Sequence, residues 1–494
     1  MTLRRKRFLA VAGFFILLLT AGGVLWQFSS HAASITIMPS ELKLPLDNSA
    51  KVSAYLHGKL LSNVKWVSSN SSVAEVSKTG DVFGKKPGEA TITAEARNYT
   101  GSIKVSIEGI KSLTFVLPKR IGYGQYVRPK IKEVLDDGQV YTYAKVPFYV
   151  SASQNLVSYH KDYVYGQRLG GGTVTVKAPF FNEITRVGVD VVPVVPTNQD
   201  SDSPNFVPHA PAIVQIDNGP TSDPHSGIQQ ADLVFEYLTE GGITRFTAVY
   251  YNLPNTLIGP VRSARPIVAP IQHMLDGMPF FSGASVGTYA LLYRAHVPAI
   301  TDDCCAQYFF RVDTHVSPSN LFTTGKLLQQ ALETVPSLVH QKLPYVLLPA
   351  HQDTLSNGPV KSVTIDMSSA TIDQYVYNPA SREFERYMNG AAELDTTTGK
   401  PIQIKNLIVL YTTATLTSYV EDVLGNHTYI YNLQGKGDFV AFIDGNQYKG
   451  MWYRPAENQP IIFTTASGMP LPLQTGLTWI SVVDPSLSYL SIQY

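Results

Sequence analysis

Residues 64–94 read VKWVSSNSSVAEVSKTGDVFGKKPGEATITA. Short apolar-polar alternations, Val64-Lys65-Trp66-Val67 and Ala90-Thr91-Ile92-Thr93-Ala94, stand at either end. Between them lie a Ser-Asn run and the turn formers Gly80-Asp81, Gly84 and Pro87-Gly88. Alternation with period two puts every second side chain on one face, which suits a strand with one face buried. Short strands at regular spacing with turn chemistry between them predict a β-sandwich. Ser34-Ile35-Thr36-Ile37 and Ala50 to Tyr55 carry the same pattern upstream, so the sandwich spans 34–108.

Outward from this stretch, residues 109–195 repeat the texture in a more diverged form. Asp136-Asp137-Gly138 and Gly170-Gly171-Gly172 make turns, while Thr173–Val176 and Val187–Val192 alternate as strands. A second sandwich is expected there, with no tryptophan at the place of Trp66. Residues 196–206 are polar and poor in apolar side chains, the composition of a linker. Beyond it, 212–216, 232–238 and 246–251 read as buried strands. Arg265–Leu275 reads as a short helix, and Thr324–Leu332 as a clearer one with an apolar stripe of Leu327, Leu328, Ala331 and Leu332. That mixture makes 207–345 an α+β domain, followed by a strand-rich domain over 346–494.

The other direction leads to the amino terminus. Arg4, Arg5, Lys6 and Arg7 precede an uncharged run from Phe8 to Phe28. As a helix this run would extend about 30 Å, the thickness of a hydrocarbon core. Basic residues ahead of the span place the start in the cytoplasm and the bulk of the chain outside. Cleavable signals have shorter apolar regions, about 7–15 residues. The length of this run favours an uncleaved single-pass anchor over 1–33, although Ser30, Ala32 and Ala33 offer a cleavage site. No cysteine stands directly after the run, which leaves no acceptor for a lipoprotein anchor. The fold class expected is therefore multidomain: a transmembrane helix, two Ig-like β-sandwiches, and an α+β head with a strand-rich C-terminal part.

Composition narrows the function. The 494 residues carry 39 Lys plus Arg against 38 Asp plus Glu, a net charge of +1. Such a balance argues against a nucleic-acid partner, which calls for a basic face. The two cysteines, Cys304 and Cys305, are neighbours and cannot build a disulfide framework or a zinc site. They read as small buried side chains. Phosphate-loop, dinucleotide and zinc-protease patterns are absent, and the eleven histidines are scattered. No metal and no cofactor are expected.

Polar residues gather at strand ends and loops. Glu236 and Glu240 flank a run that continues through Gly241-Gly242 to Arg245. Arg262 and Arg265 follow, then Asp313, His315 and Asn320, with Asp217 at the end of the first strand of the head. Two carboxyls of different acidity can divide acid and base roles in glycoside cleavage when about 5–9 Å apart. In one strand Glu236 and Glu240 would share a face, about 13 Å apart, unless the glycine pair turns the chain. Arginine forks suit carboxylate, phosphate or sugar oxygens. Glu236 and Glu240 are thus the catalytic candidates, and Asp217, Arg245, Arg262, Arg265, Asp313, His315 and Asn320 the ligand-binding ones. A buried ion network that holds loops is the competing reading. Arg386 and Asp395 either join the pocket or cap a turn. Trp452, Tyr453 and Trp479 either stack on sugar rings or pack in a strand core.

Residues 64–94 resemble the bacterial Ig-like domain, group two, with Trp66 as the core plug. SGIQQADLVFEYLTEGGITRFTAVYY (226–251), IGPVRSARP (258–266) and RVDTHVSPSNLF (311–322) resemble the YerB-type family of bacterial envelope proteins. Asp395, Pro401–Val409, Gly450–Arg454 and Gly476–Ile480 resemble its carboxy-terminal part, so the likeness covers about 210–486. The resemblance implies an extracytoplasmic envelope protein, often a lipoprotein, and brings no established activity. The missing lipidation cysteine and the Ig-like units in front depart from the pattern. Three functions stay open: binding of peptidoglycan or another wall polymer, a carbohydrate-active hydrolase or lyase, and docking of another envelope protein.

Overall fold

The computed structural model describes residues 34–46, 48–143, 149–152, 155–160, 163–177, 184–198, 210–338, 343–347 and 356–494. No helix among them is long and apolar enough to cross a membrane, and the span expected at 8–28 lies outside them. The chain forms two compact units: Met1–Ser112 with Glu133–Val140, and Leu113–Lys132 with Tyr141–Tyr494. Both are mostly β. The first unit takes Glu133–Val140 from beyond the boundary expected at 108.

In the first unit, Tyr99–Glu108 runs antiparallel to Gly88–Ala96 and parallel to Glu41–Pro45, and Lys65–Ser68 closes the same sheet. Ile37, Leu42, Val52, Val82, Ile92 and Val105 fill the core. Trp66 is only half-buried and packs against this core from its rim. Gly80 lies beneath the indole at φ +83°, where a Cβ would come 2.5 Å from the Val52 carbonyl. Only glycine fits this left-handed turn so close to backbone.

In the second unit, Arg120–Gly122, Ile184–Val192, Gly170–Lys177 and Tyr149–Ala152 form one small sheet, and Tyr126–Val127, Tyr163–Gly166 and Val157–His160 another. The head is built on a ten-stranded mixed sheet. Its strands in chain order are β1 (Ala212–Asn218), β2 (Leu233–Leu238), β3 (Thr244–Tyr250), β4 (Met278–Phe281), β5 (Ile300–Thr301), β6 (Asn406–Tyr411), β7 (Gly435–Ile443), β8 (Asn446–Arg454), β9 (Ile462–Thr465) and β10 (Thr478–Val483). Across the sheet they run β5-β4-β1-β3-β2-β10-β6-β7-β8-β9. β10 pairs in parallel with both β2 and β6. The boundary expected at 345/346 therefore divides two segments that share one sheet. Near the centre the strands are buried on both faces, which is why they read as continuous apolar runs rather than alternations.

One face of the sheet, carrying Ile216, Val234, Phe246 and Trp479, packs against a second sheet that supplies Val363, Ile365, Tyr375 and Phe384. The other face, carrying Ile213, Phe235, Tyr237 and Val249, takes Ile271, Met274 and Leu275 of α1 (Val268–Leu275). A further helix, α2 (Val286–Arg294), was not legible in the sequence. α3 (Gly325–Glu333) begins where Thr324 Oγ1 accepts from the Leu327 amide at 3.2 Å, and buries Leu328, Ala331 and Leu332.

The start of the expected linker is docked rather than loose. Asn198 N–H donates to Asp232 Oδ1 at 2.7 Å, and its side-chain amide donates to the Gln229 and Ala231 carbonyls at 2.6 and 2.9 Å. Residues 199–206 lie outside the described ones. Replacing Asn198 with alanine leaves two carbonyls without their donor, and should lower stability by about 1–2 kcal/mol, read as a lower urea midpoint of the full chain.

Candidate functional site

β1 delivers Asp217 to its carboxyl end, and the pairing register sets Asp217 opposite Arg245 of β3, which is itself opposite Tyr237 of β2. After β2 the chain turns through Glu240–Gly242, with Gly241 and Gly242 both at positive φ, and this turn carries Glu240. Arg262 and Arg265 come from the segment that follows β3. Arg262 Nε donates to Asp217 Oδ2 at 3.1 Å, and Ser319 Oγ donates to the same oxygen at 2.7 Å. Arg245 Nη2 stands 3.6 Å from Asp217 Oδ1 and 3.8 Å from Glu240 Oε1. Arg265 grips Glu240 with two nitrogens, Nε to Oε2 at 2.7 Å and Nη2 to Oε1. Its Nη1 lies 3.4 Å from Glu421, whose carboxylate also accepts from Ser285 and Thr288.

Asp217, Glu240, Arg245 and Arg265 are buried, whereas Arg262 keeps 29% of its side-chain surface exposed. Burial pushes the Asp217 carboxyl up, but Arg245, Arg262 and the Ser319 hydroxyl outweigh it and hold it below the ordinary carboxylate range. Glu240 is likewise held down: burial raises it, and the Arg265 bond and charge prevail. Burial, seconded by repulsion from Arg265, pushes Arg245 down to about 10.

Glu236 is elsewhere. It is opposite Phe246, one residue out of phase with Arg245, so it projects from the other face of the sheet. There it is fully buried and accepts from Thr244 Oγ1 at 2.9 Å, Arg386 Nη2 at 2.7 Å, Trp479 Nε1 at 2.9 Å and Tyr375 Oη at 3.2 Å. Arg386 also donates to Asp373 at 2.6 Å and contacts Glu393 through Nη1. Its guanidinium lies 5.1 Å from the Phe246 ring and 4.8 Å from that of Trp479. Burial, with the charge of Glu236 behind it, pushes Asp373 well above the usual range against the pull of Arg386.

This arrangement corrects several expectations. Glu236 is sealed in a core and has both oxygens engaged, so it cannot act on a substrate. Glu236 and Glu240 belong to opposite faces of one sheet and cannot flank a glycosidic bond. Arg386 joins the Glu236 cluster rather than the arginine group. Asp395 caps a turn, accepting from the Gln229 and Thr397 amides. Trp452 is buried and donates to the Tyr411 carbonyl, and Trp479 is buried against Glu236, so neither offers a face to a sugar; Tyr453 is exposed. Asn320 Oδ1 accepts from Arg311 at 2.6 Å, and half-buried His315 binds the Pro224 carbonyl at 3.0 Å, so both serve the loop rather than the arginine group. Asp313 is exposed, with no bond to Asp217 or the arginines. Cys304 is exposed and Cys305 half-buried, contrary to the buried pair expected, because they sit on a surface turn after β5 with their sulfurs 2.6 Å apart. His225 and Glu393, absent from the expected set, are both buried beside this network.

Family models match at three places. "Protein of unknown function (DUF3048) N-terminal domain" covers 196–337, its C-terminal counterpart covers 363–480, and "Bacterial Ig-like domain (group 2)" covers 31–106. A protein of Bacillus subtilis (strain 168) named "Putative lipoprotein YerB" is 27% identical over 286 residues, 57% of this chain and 83% of that one. The chain belongs to the YerB-like family. The crystal structure of the YerB protein from Bacillus subtilis is similar to this chain at 26% identity, covering 58% of it and 96% of the YerB chain, with a TM-score of 0.49. Domains 4 and 5 of the S-layer protein SbsC align at 18% identity over 33% of this chain and 98% of theirs, with a TM-score of 0.20. The two segments matched by the DUF3048 models together supply the strands of the ten-stranded sheet and both charged clusters, and the segment matched as a bacterial Ig-like domain precedes them.

Proposed function

We propose that this YerB-like chain is a membrane-anchored envelope protein whose head holds an anionic wall polymer against Arg262. Anchorage rests on the uncharged run at 8–28 and on the lipoprotein description of its Bacillus subtilis relative. The Ig-like domain, with residues 109–195 as a second sandwich of the same kind, serves as the spacer. Arg262 carries the reading. It is tied to Asp217 through Nε alone, at 3.1 Å, on the exposed side of a network whose other members are buried. One bond from the near edge orients the guanidinium and leaves its Nη groups for a phosphate or carboxylate. A net charge of only +1 with one pre-oriented arginine suits selective capture better than general adhesion to polyanions. The hydrolase reading loses its acid–base pair with Glu236.

The test is co-sedimentation of the full chain with purified peptidoglycan sacculi, with and without their anionic polymers. Losing the charged bonds of one arginine costs about 1.5–3 kcal/mol, so Arg262→Ala should bind about ten- to a hundredfold more weakly. Its melting temperature should hold, because Ser319 and Arg245 still serve Asp217. Equal sedimentation of both proteins, or no sedimentation of either, would sink the proposal.

A further inference from the structure

Beside the Glu236 cluster, three side chains from distant parts of the chain converge. Asp223 and His225 come from the loop after β1, and Glu393 from the segment that follows Glu383–Met388. One ligand-type atom of each, two carboxylate oxygens and an imidazole nitrogen, lie within 4.8 Å of one another. His225 Nδ1 is 3.2 Å from Asp223 Oδ1 and 3.6 Å from Glu393 Oε1. His225 and Glu393 are almost wholly buried, while Asp223 is half-exposed.

The tautomer of His225 makes this convergence informative. Its Nε2 lies 2.7 Å from the main-chain carbonyl of Asp217, which can only accept. The ring proton therefore sits on Nε2, and in the neutral imidazole Nδ1 presents a lone pair. That lone pair faces two carboxylates, which are also acceptors. Neither His225 Nδ1 nor Glu393 Oε1 has a hydrogen-bond partner, although Nδ1 lies 3.2 Å from Asp223 Oδ1. Buried polar atoms without partners are costly, so acceptors aimed at each other call for a positive species between them.

The surrounding charge points the same way. Among the described residues, Arg386 is the one arginine or lysine in contact with Glu236, Asp373 and Glu393. Three carboxyl groups, those of Glu236, Asp373 and Glu393, thus share one guanidinium, and Asp223 stands across His225 from Glu393.

We propose that Asp223, His225 and Glu393 bind a divalent transition-metal cation of the Zn²⁺ or Mn²⁺ type. One imidazole nitrogen and two carboxylate oxygens form a mixed donor set that suits borderline metals better than Ca²⁺ or Mg²⁺. Ligands about 2.1 Å from such a metal stand about 3–3.5 Å apart, close to the two separations that involve His225. Half-exposed Asp223 has room to close the third. The Nε2–H bond to the Asp217 carbonyl fixes the ring's orientation, as the outer nitrogen of a metal-bound histidine usually does through a carbonyl or carboxylate. Three protein ligands leave at least one coordination position on the open, Asp223 side for water or an incoming oxygen. The cation would also staple the loop after β1 to the carboxy-terminal half of the head. Sequence spacing hides the set because Glu393 lies far along the chain from the Asp-Pro-His run.

The full chain, treated with chelator and dialysed, is titrated with Zn²⁺ and separately with Mn²⁺, following heat of binding, bound metal per chain and melting temperature. We expect one tight equivalent of at least one ion and a higher melting temperature. Asp223→Asn, altered at a half-exposed side chain, should keep the melting temperature of the metal-free wild type and bind at least ~10-fold more weakly. Glu393→Gln should weaken binding as well. No stoichiometric uptake of either ion overturns the proposal, and so does uptake that both variants leave unchanged. No wall polymer enters the measurement, so its result is independent of the role given to Arg262.

Discussion

Arg386→Met should destabilise the head by about 3–5 kcal/mol, the cost of stranding buried charge by removing its partner. Arg386 is fully buried and bonds Glu236 at 2.7 Å and Asp373 at 2.6 Å, with Glu393 on its other nitrogen. Methionine fills much of the volume but neutralises nothing. Glu236 keeps its bonds from Thr244, Tyr375 and Trp479, and these cannot replace a charge in a site closed to water. Urea titration of the full chain, followed by tryptophan fluorescence, measures the loss, with Trp479 reporting from inside the cluster. The transition of the second unit should move to lower urea while that of the first stays in place. Arg262→Ala, at a half-exposed site, is the control and should move either transition little. A shift from Arg386→Met no larger than that control would show that Arg386 does not hold the cluster together.

The position of Arg386 also shows what the sequence could and could not reveal. The sandwich at 34–108 was legible because each strand and turn is specified within a few residues, as Gly80 beneath Trp66 illustrates. Asp217, Arg245, Arg262, Arg265 and Glu240 were legible as a group because fewer than fifty residues contain them and a two-strand register brings them together. Arg386 lies 150 residues from Glu236, on the strand Glu383–Met388 of the second sheet, and meets it because that sheet packs on the face of the main sheet that carries Glu236. No local pattern encodes that packing. The faces of Glu236 and Glu240 were misjudged for a different reason: β2 ends at Leu238, and strand alternation stops before Glu240 is reached. Trp452 and Trp479 were open to two readings because composition does not report which face of a strand is covered. Burial decided both.

The arginine side of the sheet yields the other large effect. Glu240→Gln keeps the shape and an acceptor oxygen but removes the charge that Arg265 grips with two nitrogens and that lies 3.8 Å from Arg245. Both arginines are buried, and burial already pushes Arg245 down to about 10. Asp217 and Glu421 remain nearby and soften the loss, so about 2–4 kcal/mol is expected, toward the lower end of what breaking a buried pair costs. The pH dependence separates lost charge from disturbed packing. Glu240 and Asp217 both have depressed carboxyls in the folded state. A depressed carboxyl contributes stability that is fully present above its unfolded value, near 4, and is lost as pH falls through the folded value. Wild type should therefore weaken steeply below about pH 4. Glu240→Gln should weaken less steeply over the same range, because one of the two titrating groups is gone, and the two stability curves should converge toward low pH. Urea midpoints from pH 7 down to pH 2 give both curves. A constant gap between them at every pH would mean that the charge of Glu240 is not what holds Arg265 and Arg245 in place.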